Sequence, residues 1–257
     1  MQIDGSVVLI TGASRGIGAA CADEFRKRGA RLALVARSRE GLERTAGPDG
    51  LAIPGDITDA AFRKRAVEET LARYGRIDIL INNAGVGLFA PAWAAPLDDV
   101  RAMVEVNLFA ALGMIQLVAP GMRALRRGMI VNLGSIAGRV TLPWLTLYSA
   151  TKFALASLTD GLRMELAPGN VQTMLVCPGY VDTEFQDHTL AGRPPEKIRK
   201  SKAFLISPRR CARDIARGVE KNRRTVVTPG SGRWFILARH CLPRLVDAQL
   251  ARIYHSL

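Results

Sequence analysis

The chain has 257 residues, of which 48% are hydrophobic and 23% are charged. This length allows one α/β domain or two small ones, with enough apolar side chains for a substantial core. The sequence contains no internal repeat and no low-complexity linker. Its cysteines lie far apart, without a Cys-x-x-Cys pair or a histidine cluster, which argues against a metal site and a disulfide scaffold. We therefore predict four buried thiols: Cys21, Cys177, Cys211 and Cys241.

The formal net charge is +13 and the pI is near 10.3. Such an excess is typical of proteins that bind nucleic acid, an anionic membrane or a polyanionic cofactor. The basic residues are scattered along the chain rather than gathered in one motif. Because no nucleic-acid fold signature and no interleaving of aromatic and basic residues accompany them, we expect no nucleic-acid partner.

Two features bear on localisation. No apolar run approaches the roughly 18 to 20 residues that a membrane span needs. The amino terminus leads directly into a predicted strand, without the pattern of a signal peptide. We therefore expect a cytoplasmic protein.

A glycine-rich turn follows the first predicted strand, Ser6–Thr11, whose apolar run stops at Gly12 as a buried parallel strand would. Gly16 and Gly18 come next, and beyond them apolar residues recur at helical spacing. Glycines at such a turn let a phosphate approach the backbone N–H groups and the positive end of the helix dipole. The turn therefore predicts a nucleotide-binding loop.

A second group of candidate site residues follows the apolar run Met129–Leu133, which we interpret as a buried strand. Ser135 lies at its carboxyl end, where open α/β sheets hold their ligands. Tyr148 and Lys152 are four residues apart at the start of a predicted helix, so the phenol and the ammonium share one face. We expect the ammonium to lower the pKa of Tyr148 from about 10, as suits a general acid or base. Taken alone, this spacing more often indicates simple packing.

Together, the glycine turn, Asn82-Asn83-Ala84-Gly85, Ser135 and Tyr148-x-x-x-Lys152 resemble the short-chain dehydrogenase/reductase family. The Gly-x-x-x-Gly-x-Gly spacing differs from the ordinary Gly-x-Gly-x-x-Gly fingerprint. The motifs stand in the family's order over about Val7–Pro229. The resemblance implies an α/β fold with a doubly wound, Rossmann-like parallel sheet of about seven strands, in a single domain over residues 1–229. Residues 230–257 would form a C-terminal amphipathic helical tail.

The resemblance also implies catalytic roles. Ser135 would hydrogen-bond the substrate carbonyl oxygen, Tyr148 would donate the proton, and Lys152 would bind the nicotinamide ribose. Asn107 lies in a predicted helix, Leu97–Arg126, and matches the family's asparagine that holds a water in the proton relay. A satisfied core amide is the alternative for Asn107. Gly134 stands where many relatives have a serine, a departure that we expect to be harmless.

The end of the second predicted strand, Arg31–Ala36, indicates the cofactor. NAD-binding proteins of this fold carry an acidic residue near this point, and none is present here. Arg37 and Arg15 are able to grip a ribose 2′-phosphate, unless they are solvated surface arginines. We therefore predict NADP (NADPH). The resemblance implies these cofactor-binding residues: Gly12, Ser14, Arg15, Gly16, Ile17, Gly18, Arg37, Asp56, Ile57, Asn83, Ala84, Gly85, Tyr148, Lys152, Pro178, Gly179, Val181 and Thr183.

These residues predict an NADP-dependent oxidoreductase that reduces a carbonyl, or oxidises a secondary alcohol, on a lipophilic small molecule. The alternatives are a non-catalytic NADPH sensor and a peripheral lipid-binding protein. An epimerase fits less well because the chain is short for one. An enoyl reductase fits less well because the spacing between Tyr148 and Lys152 differs from that of such enzymes. Ser135, Tyr148 and Trp144 are the predicted substrate-binding residues, although Trp144 and its leucine neighbours could equally belong to the core. A polar, basic segment, Gln186–Ile206, predicts a mobile loop over the substrate.

The tail carries apolar residues at near-helical spacing, interrupted by Pro243 and accompanied by arginines. It could pack on the domain or on a second subunit, where it would close the substrate pocket. Alternatively, it could lie peripherally in a membrane interface. We expect a homo-oligomer, either a dimer or a tetramer. The apolar stripe consists of Trp234, Leu237, Ala238, Cys241, Leu242, Leu245, Leu250 and Ile253.

Overall fold

The computed structural model describes residues 1–187, 189–192 and 205–255, with only the backbone described for 253–255. Its strands form one parallel sheet in the order β3-β2-β1-β4-β5-β6-β7. This is the predicted doubly wound, Rossmann-like α/β fold in a single domain. The strands are β1 (Val7–Thr11), β2 (Arg31–Ala36), β3 (Leu51–Pro54), β4 (Ile79–Asn82), β5 (Gly128–Leu133), β6 (Val171–Pro178) and β7 (Thr225–Thr228).

Helices cover both faces of the sheet. They are α1 (Gly16–Lys27), α2 (Arg39–Ala46), α3 (Ala60–Tyr74), α4 (Leu97–Val104), α5 (Ala110–Ala124), α6 (Thr146–Leu166), α7 (Pro208–Glu220), α8 (Gly232–Cys241) and α9 (Pro243–His255). Short 3-10 turns lie at Ile136–Gly138, Ala167–Gly169 and Glu184–Asp187. Most of the predicted loop Gln186–Ile206 lies outside the described residues.

Two apolar layers hold the helices on the sheet. Val8 of β1 contributes to one layer, together with Phe25 of α1 and Ile215 of α7. The next residue, Leu9, contributes to the other layer, together with Met114 of α5. Because both faces are covered, the strands are continuous apolar runs rather than alternating ones.

A buried carboxylate holds the amino ends of the strands. Asp78, which directly precedes β4, is 1% exposed and accepts a hydrogen bond of 2.9 Å from the backbone N–H of Val7. Arg76 Nε lies 2.8 Å and Arg127 Nε lies 3.5 Å from its oxygens. A buried charge is tolerated when it is paired in this way.

The predicted helix Leu97–Arg126 consists of α4 and α5 joined by a π-helical turn, Glu105–Phe109. Contrary to the expectation that no run approaches the length of a membrane span, the 28 residues Leu97–Ala124 are long and apolar enough to cross one. Of their most apolar window, 44% is buried inside the fold. A core helix meets the same criterion, so this feature alone is weak evidence for a span.

The tail packs on the domain through its inner face. Val246 and Leu250 of α9 are each 9% exposed and contact the same apolar cluster as Phe89 and Val140. Cys241 is exposed, so the prediction of a buried thiol is wrong at this position, because α8 turns it towards solvent. The side chain of Ile253, part of the predicted stripe, lies outside the described residues.

Candidate active site

A cavity of about 1660 Å³ opens at the carboxyl ends of the strands. Ligands of open α/β sheets bind at this edge, where the strand order reverses, here between β1 and β4. Among the predicted site residues, Gly18, Asn107 and Trp144 do not line the cavity. Those that do are Gly12, Ser14, Arg15, Gly16, Ile17, Arg37, Asp56, Ile57, Asn83, Ala84, Gly85, Ser135, Tyr148, Lys152, Pro178, Gly179, Val181 and Thr183.

The glycine turn forms one end of this cavity. Gly12 and Gly16 have φ angles of +65° and +58°, a region that favours glycine. A Cβ on Gly18 would lie 2.2 Å from the carbonyl oxygen of Gly12, so Gly18 allows α1 to pack against the turn rather than lining the cavity. Asn83 Nδ2 donates to the carbonyl oxygens of Thr11, at 2.9 Å, and Gly12, at 3.0 Å. The turn is therefore fixed from below by the end of β4.

The same turn fits the phosphates of a dinucleotide. Helix α1 begins at Gly16, its N-cap residue Arg15 makes no side-chain capping bond, and its first turn contains no acidic residue. The backbone N–H groups of an uncapped helix start are available to an anion, which the helix dipole also favours. Because Gly16 and Ile17 line the cavity, an anion held there would lie inside it.

The neighbouring wall carries arginine and carboxylate side chains. Arg37 lies directly after β2 and lines the cavity close to Asp56. The pKa of Asp56 is lowered, chiefly because its Oδ1 accepts from the backbone N–H of Thr58 at 2.9 Å, with further contributions from the Thr58 hydroxyl and the charge of Arg37. Arg15 also pairs with Glu184, at 3.3 Å on the surface.

Sequence reasoning missed a part of this wall that α2 provides. Ser38 caps α2 by accepting from the backbone N–H of Gly41 at 3.3 Å, and both residues line the cavity with Arg44. Gly41 and Arg44 are three residues apart and share one helix face. The helical spacing after β2 was the available signal.

Three of the predicted catalytic residues come together. Ser135 Oγ accepts from the backbone N–H of Ala137 at 3.0 Å and lies near enough to the Tyr148 phenol to influence its pKa. Lys152, which is 4% exposed, donates from Nζ to the carbonyl oxygen of Leu133 at 2.8 Å. Residues from the end of β5 and the start of α6 thus meet at one point of the cavity.

The pKa of Tyr148 is raised to about 12 rather than lowered. Burial is the main cause, the nearby hydroxyl of Ser135 opposes it, and nearby Tyr180 raises the pKa further. Burial also lowers the pKa of Lys152 to about 8. The predicted lowering of the tyrosine pKa is therefore wrong for this arrangement, because burial of the phenol dominates the shift and Lys152 is not among its causes. At neutral pH the phenol keeps its proton.

Asn107 lies in the π-helical turn and is 1% exposed. Its Oδ1 accepts from the backbone N–H of Val86 at 2.9 Å, and its Nδ2 donates to the Val86 carbonyl at 2.9 Å and to Thr151 Oγ1 at 3.1 Å. The side chain is thus a satisfied core amide, which ties a cavity-lining residue to α6. Its role in a water relay stays a prediction.

Trp144 does not reach the cavity. Its φ angle is +63°, and its ring stacks on that of Phe89, with centroids 5.9 Å apart and an interplanar angle of 23°. Phe89, Leu142 and Leu145 line the cavity, and Trp144 supports this wall from behind. The glycine at position 134, where many relatives have a serine, is explained by close packing. A Cβ at this position would lie 2.9 Å from the carbonyl oxygen of Val176.

The far end of the cavity is apolar. The ring of Phe185 lies 5.9 Å from that of Tyr148, centroid to centroid. Phe235 from α8 and Leu250 from α9 also line the cavity. Sequence reasoning anticipated that the tail could close the pocket but did not identify these side chains. The cavity therefore joins a polar, basic half to an apolar half, with Tyr148 and Ser135 in its wall.

Comparison with known proteins identifies the family. Residues 6–193 match the family model described as short chain dehydrogenase. The chain is 32% identical over 267 residues to 11-beta-hydroxysteroid dehydrogenase-like 2 of Arabidopsis thaliana, covering 99% of this chain and 83% of that protein.

Solved structures agree with this result. A short chain dehydrogenase from Burkholderia cenocepacia in complex with NADP has a TM-score of 0.83 and 31% identity, covering 97% of this chain and 99% of that one. A short chain dehydrogenase/reductase from Burkholderia phymatum in complex with NAD has a TM-score of 0.86 and 26% identity, covering 95% and 96%. The chain therefore belongs to the short-chain dehydrogenase/reductase family of oxidoreductases.

Proposed function

We propose that the protein reduces a carbonyl group on a lipophilic small molecule with NADPH, or catalyses the reverse oxidation of a secondary alcohol. The observation that carries this proposal is the position of the Tyr148 phenol, whose pKa is raised by burial, beside Ser135 in the wall of a cavity with a basic and an apolar half. A phenol with a raised pKa retains the proton that a reduction consumes.

The choice of NADPH rests on the wall after β2. Arg37 occupies the place where proteins that select NAD carry an acidic residue, and Arg15 and Arg44 line the same part of the cavity. Guanidinium groups form charge-assisted bonds to a phosphate, so these residues would hold the ribose 2′-phosphate. The start of α1 would hold the pyrophosphate, and Asp56 would contact the adenine.

The catalytic residues would act as follows. NADPH, when bound, supplies the hydride. Ser135 would donate a hydrogen bond to the carbonyl oxygen and stabilise the negative charge that develops there. Tyr148 would transfer its phenolic proton to that oxygen. The ammonium of Lys152 would then offset the charge left on the phenolate, while Asn107 holds Val86 and Thr151 in place beside it.

The preference for a lipophilic substrate follows from the other half of the cavity. Its walls are made by apolar side chains from several elements, which suits a ligand with little polar surface. They include Phe89, Leu142, Leu145, Phe185, Phe235 and Leu250.

We also propose a cytoplasmic homo-oligomer, a dimer or a tetramer. The π-helical turn and the helices on either side of it expose apolar side chains, and so does α6. Phe109 is 51%, Leu117 is 37% and Phe153 is 41% exposed. Exposed apolar side chains in this number are typical of a surface that another subunit covers.

The test is cofactor consumption with a panel of aldehydes, ketones and quinones that differ in apolar length, with NADPH and NADH measured in parallel. We expect NADPH oxidation, with kcat/KM rising with apolar length. If the protein binds NADPH but none of the carbonyl compounds causes NADPH oxidation, the sensor alternative is supported. A protein that binds neither cofactor would support the lipid-binding alternative.

A further inference from the structure

The outward face of α8 carries a stripe of exposed apolar side chains. Trp234 is 73% and Leu237 is 49% exposed, and Cys241 is also exposed. Positions three and four residues apart lie on one side of a helix, so these side chains form one row. Leu242, 55% exposed, and Leu245, 66% exposed, continue the apolar surface at the corner between α8 and α9. We call these five residues the tail stripe.

Positive charge accompanies the tail stripe. Arg233 is exposed on α8, and Arg244 is exposed at the start of α9. The acidic residue of the described tail, Asp247, is paired with Arg239 at 3.2 Å. The unpaired charge on this surface is therefore positive.

The stripe cannot be turned inwards, because the inner faces of the same helices are already occupied. Phe235 and Leu250 line the active-site cavity, and Val246 is buried against the domain. An exposed row of large apolar side chains next to basic ones is typical of a binding surface.

A shallow groove of about 390 Å³ adjoins the stripe, between α8 and the edge strand β7. Leu237 belongs to both the stripe and the groove. Arg233 and His240 line one side of the groove, and Arg139 lines the other while also pairing with Asp160 at 3.9 Å. Val227 and Ile236 give it an apolar floor. The guanidinium of Arg233 beside an apolar floor suits a negatively charged headgroup with its acyl chain.

We propose that the tail stripe docks on a bilayer that contains anionic lipid, independently of the reaction proposed above. Trp234 has the amphipathic ring that favours the interface between lipid and water. Arg233 and Arg244 match the negative charge of the headgroups. A second copy fits less well, because a two-fold contact presents the same patch on both subunits and concentrates the two arginines of each copy in one interface. The charge of the surface thus selects the bilayer.

Co-sedimentation of the full chain with vesicles tests this docking. The probe is phosphatidylcholine vesicles with and without phosphatidylserine, at low and high salt. We expect binding to the anionic vesicles that high salt releases, and at least about tenfold weaker binding to phosphatidylcholine alone.

Two variants address the stripe, and a third is the matched control. Trp234→Ser with Leu237→Ser removes apolar area, and Arg233→Glu with Arg244→Glu reverses charge. Each pair should weaken binding at least about tenfold. Arg210→Glu with Arg213→Glu makes the same change in net charge on the exposed side of α7 and should weaken it less than about threefold.

Two further measurements distinguish a loss of lipid contact from an effect on folding or on subunit contacts. Quenching of tryptophan fluorescence by brominated lipid should fall in Trp234→Phe, a variant that keeps an aromatic ring. Sedimentation velocity should give the same oligomeric state for wild type and both stripe variants. The proposal is overturned if wild type ignores anionic vesicles, if the α7 control loses as much binding as the charge-reversed stripe, or if the stripe variants dissociate an oligomer instead. Reduction of a water-soluble carbonyl reports separately on the reaction.

Discussion

The ammonium nitrogen of Lys152 lies 5.7 Å from the centroid of the Tyr148 ring. Burial shifts the two pKa values towards the neutral form of each group, up to about 12 for Tyr148 and down to about 8 for Lys152. Near neutral pH the site therefore holds a protonated phenol beside an ammonium that is close to its own titration. The first group gives the proton in a reduction, and the second sets the pH range in which the site carries a positive charge.

The pH dependence follows from Lys152. Its ammonium is present below about pH 8 and is lost above that pH. We expect kcat/KM for NADPH, which reports the free protein, to fall by up to about tenfold per pH unit above this point. Tyr148 stays protonated over the same range and adds no second limb. Lys152→Arg remains charged, so its profile should be flat there, even at a lower level. A falling limb that persists in this variant would assign the titration to another group.

Arg37→Ala tests the choice of cofactor. Losing a charge-assisted contact to a phosphate costs about 1.5 to 3 kcal/mol, so the Michaelis constant for NADPH should rise at least about tenfold while that for NADH changes little. Arg39→Ala is the matched control, because Arg39 is 72% exposed and pairs with Glu43 instead of lining the cavity. A wild type that already prefers NADH, or an equal loss for both cofactors, would refute the role of Arg37.

The motifs of the site were predictable from sequence because each follows the end of a strand. The parallel sheet brings the glycine turn, Ser135 and Asn83 to one edge, and the four-residue spacing places Lys152 beside Tyr148. The sequence did not predict whether each apolar side chain near the site faces the cavity or the core behind it. The positive φ angle of Trp144 turns it behind Phe89, a local backbone feature without a clear sequence signature.

Two other features depended on the finished fold. The direction of the Tyr148 pKa shift is set chiefly by the burial of the phenol, which is known only once the chain is folded. Leu250 lies far along the chain from the motifs, and its place in the cavity wall follows from how α9 packs on Phe89. Spacing within the tail indicates a helix but not its docking position.

Leu250→Ala tests the apolar half of the cavity. Removing methylene groups from a pocket costs about 1 to 3 kcal/mol of binding to a substrate that fills it. We expect kcat/KM for a long apolar ketone to fall about tenfold, while that for a small water-soluble aldehyde changes less than about twofold. Leu245→Ala, at a position that is 66% exposed, is the control and should leave both unchanged. An equal effect on both substrates would mean that Leu250 supports the fold rather than the substrate.

Asp78→Asn tests the anchor at the opposite edge of the sheet. The variant removes the charge that Arg76 and Arg127 pair with, so the free energy of unfolding should fall by about 2 to 4 kcal/mol. In urea, the midpoint should drop while the slope m stays constant. Asp98→Asn, where the carboxylate is 93% exposed and paired with Arg101, should change the free energy by less than about 0.5 kcal/mol. Similar midpoints for the two variants would contradict the anchoring role.

The proposed chemistry is tested most directly by Tyr148→Phe, which keeps the ring and removes the proton donor. Turnover is measured at saturating NADPH with the best carbonyl substrate of the panel, and the dissociation constant of NADPH is measured by fluorescence titration on the same preparation. We expect turnover to fall at least about a hundredfold and the dissociation constant to change less than about threefold. A variant that retains most of its turnover would show that the proton comes from another group.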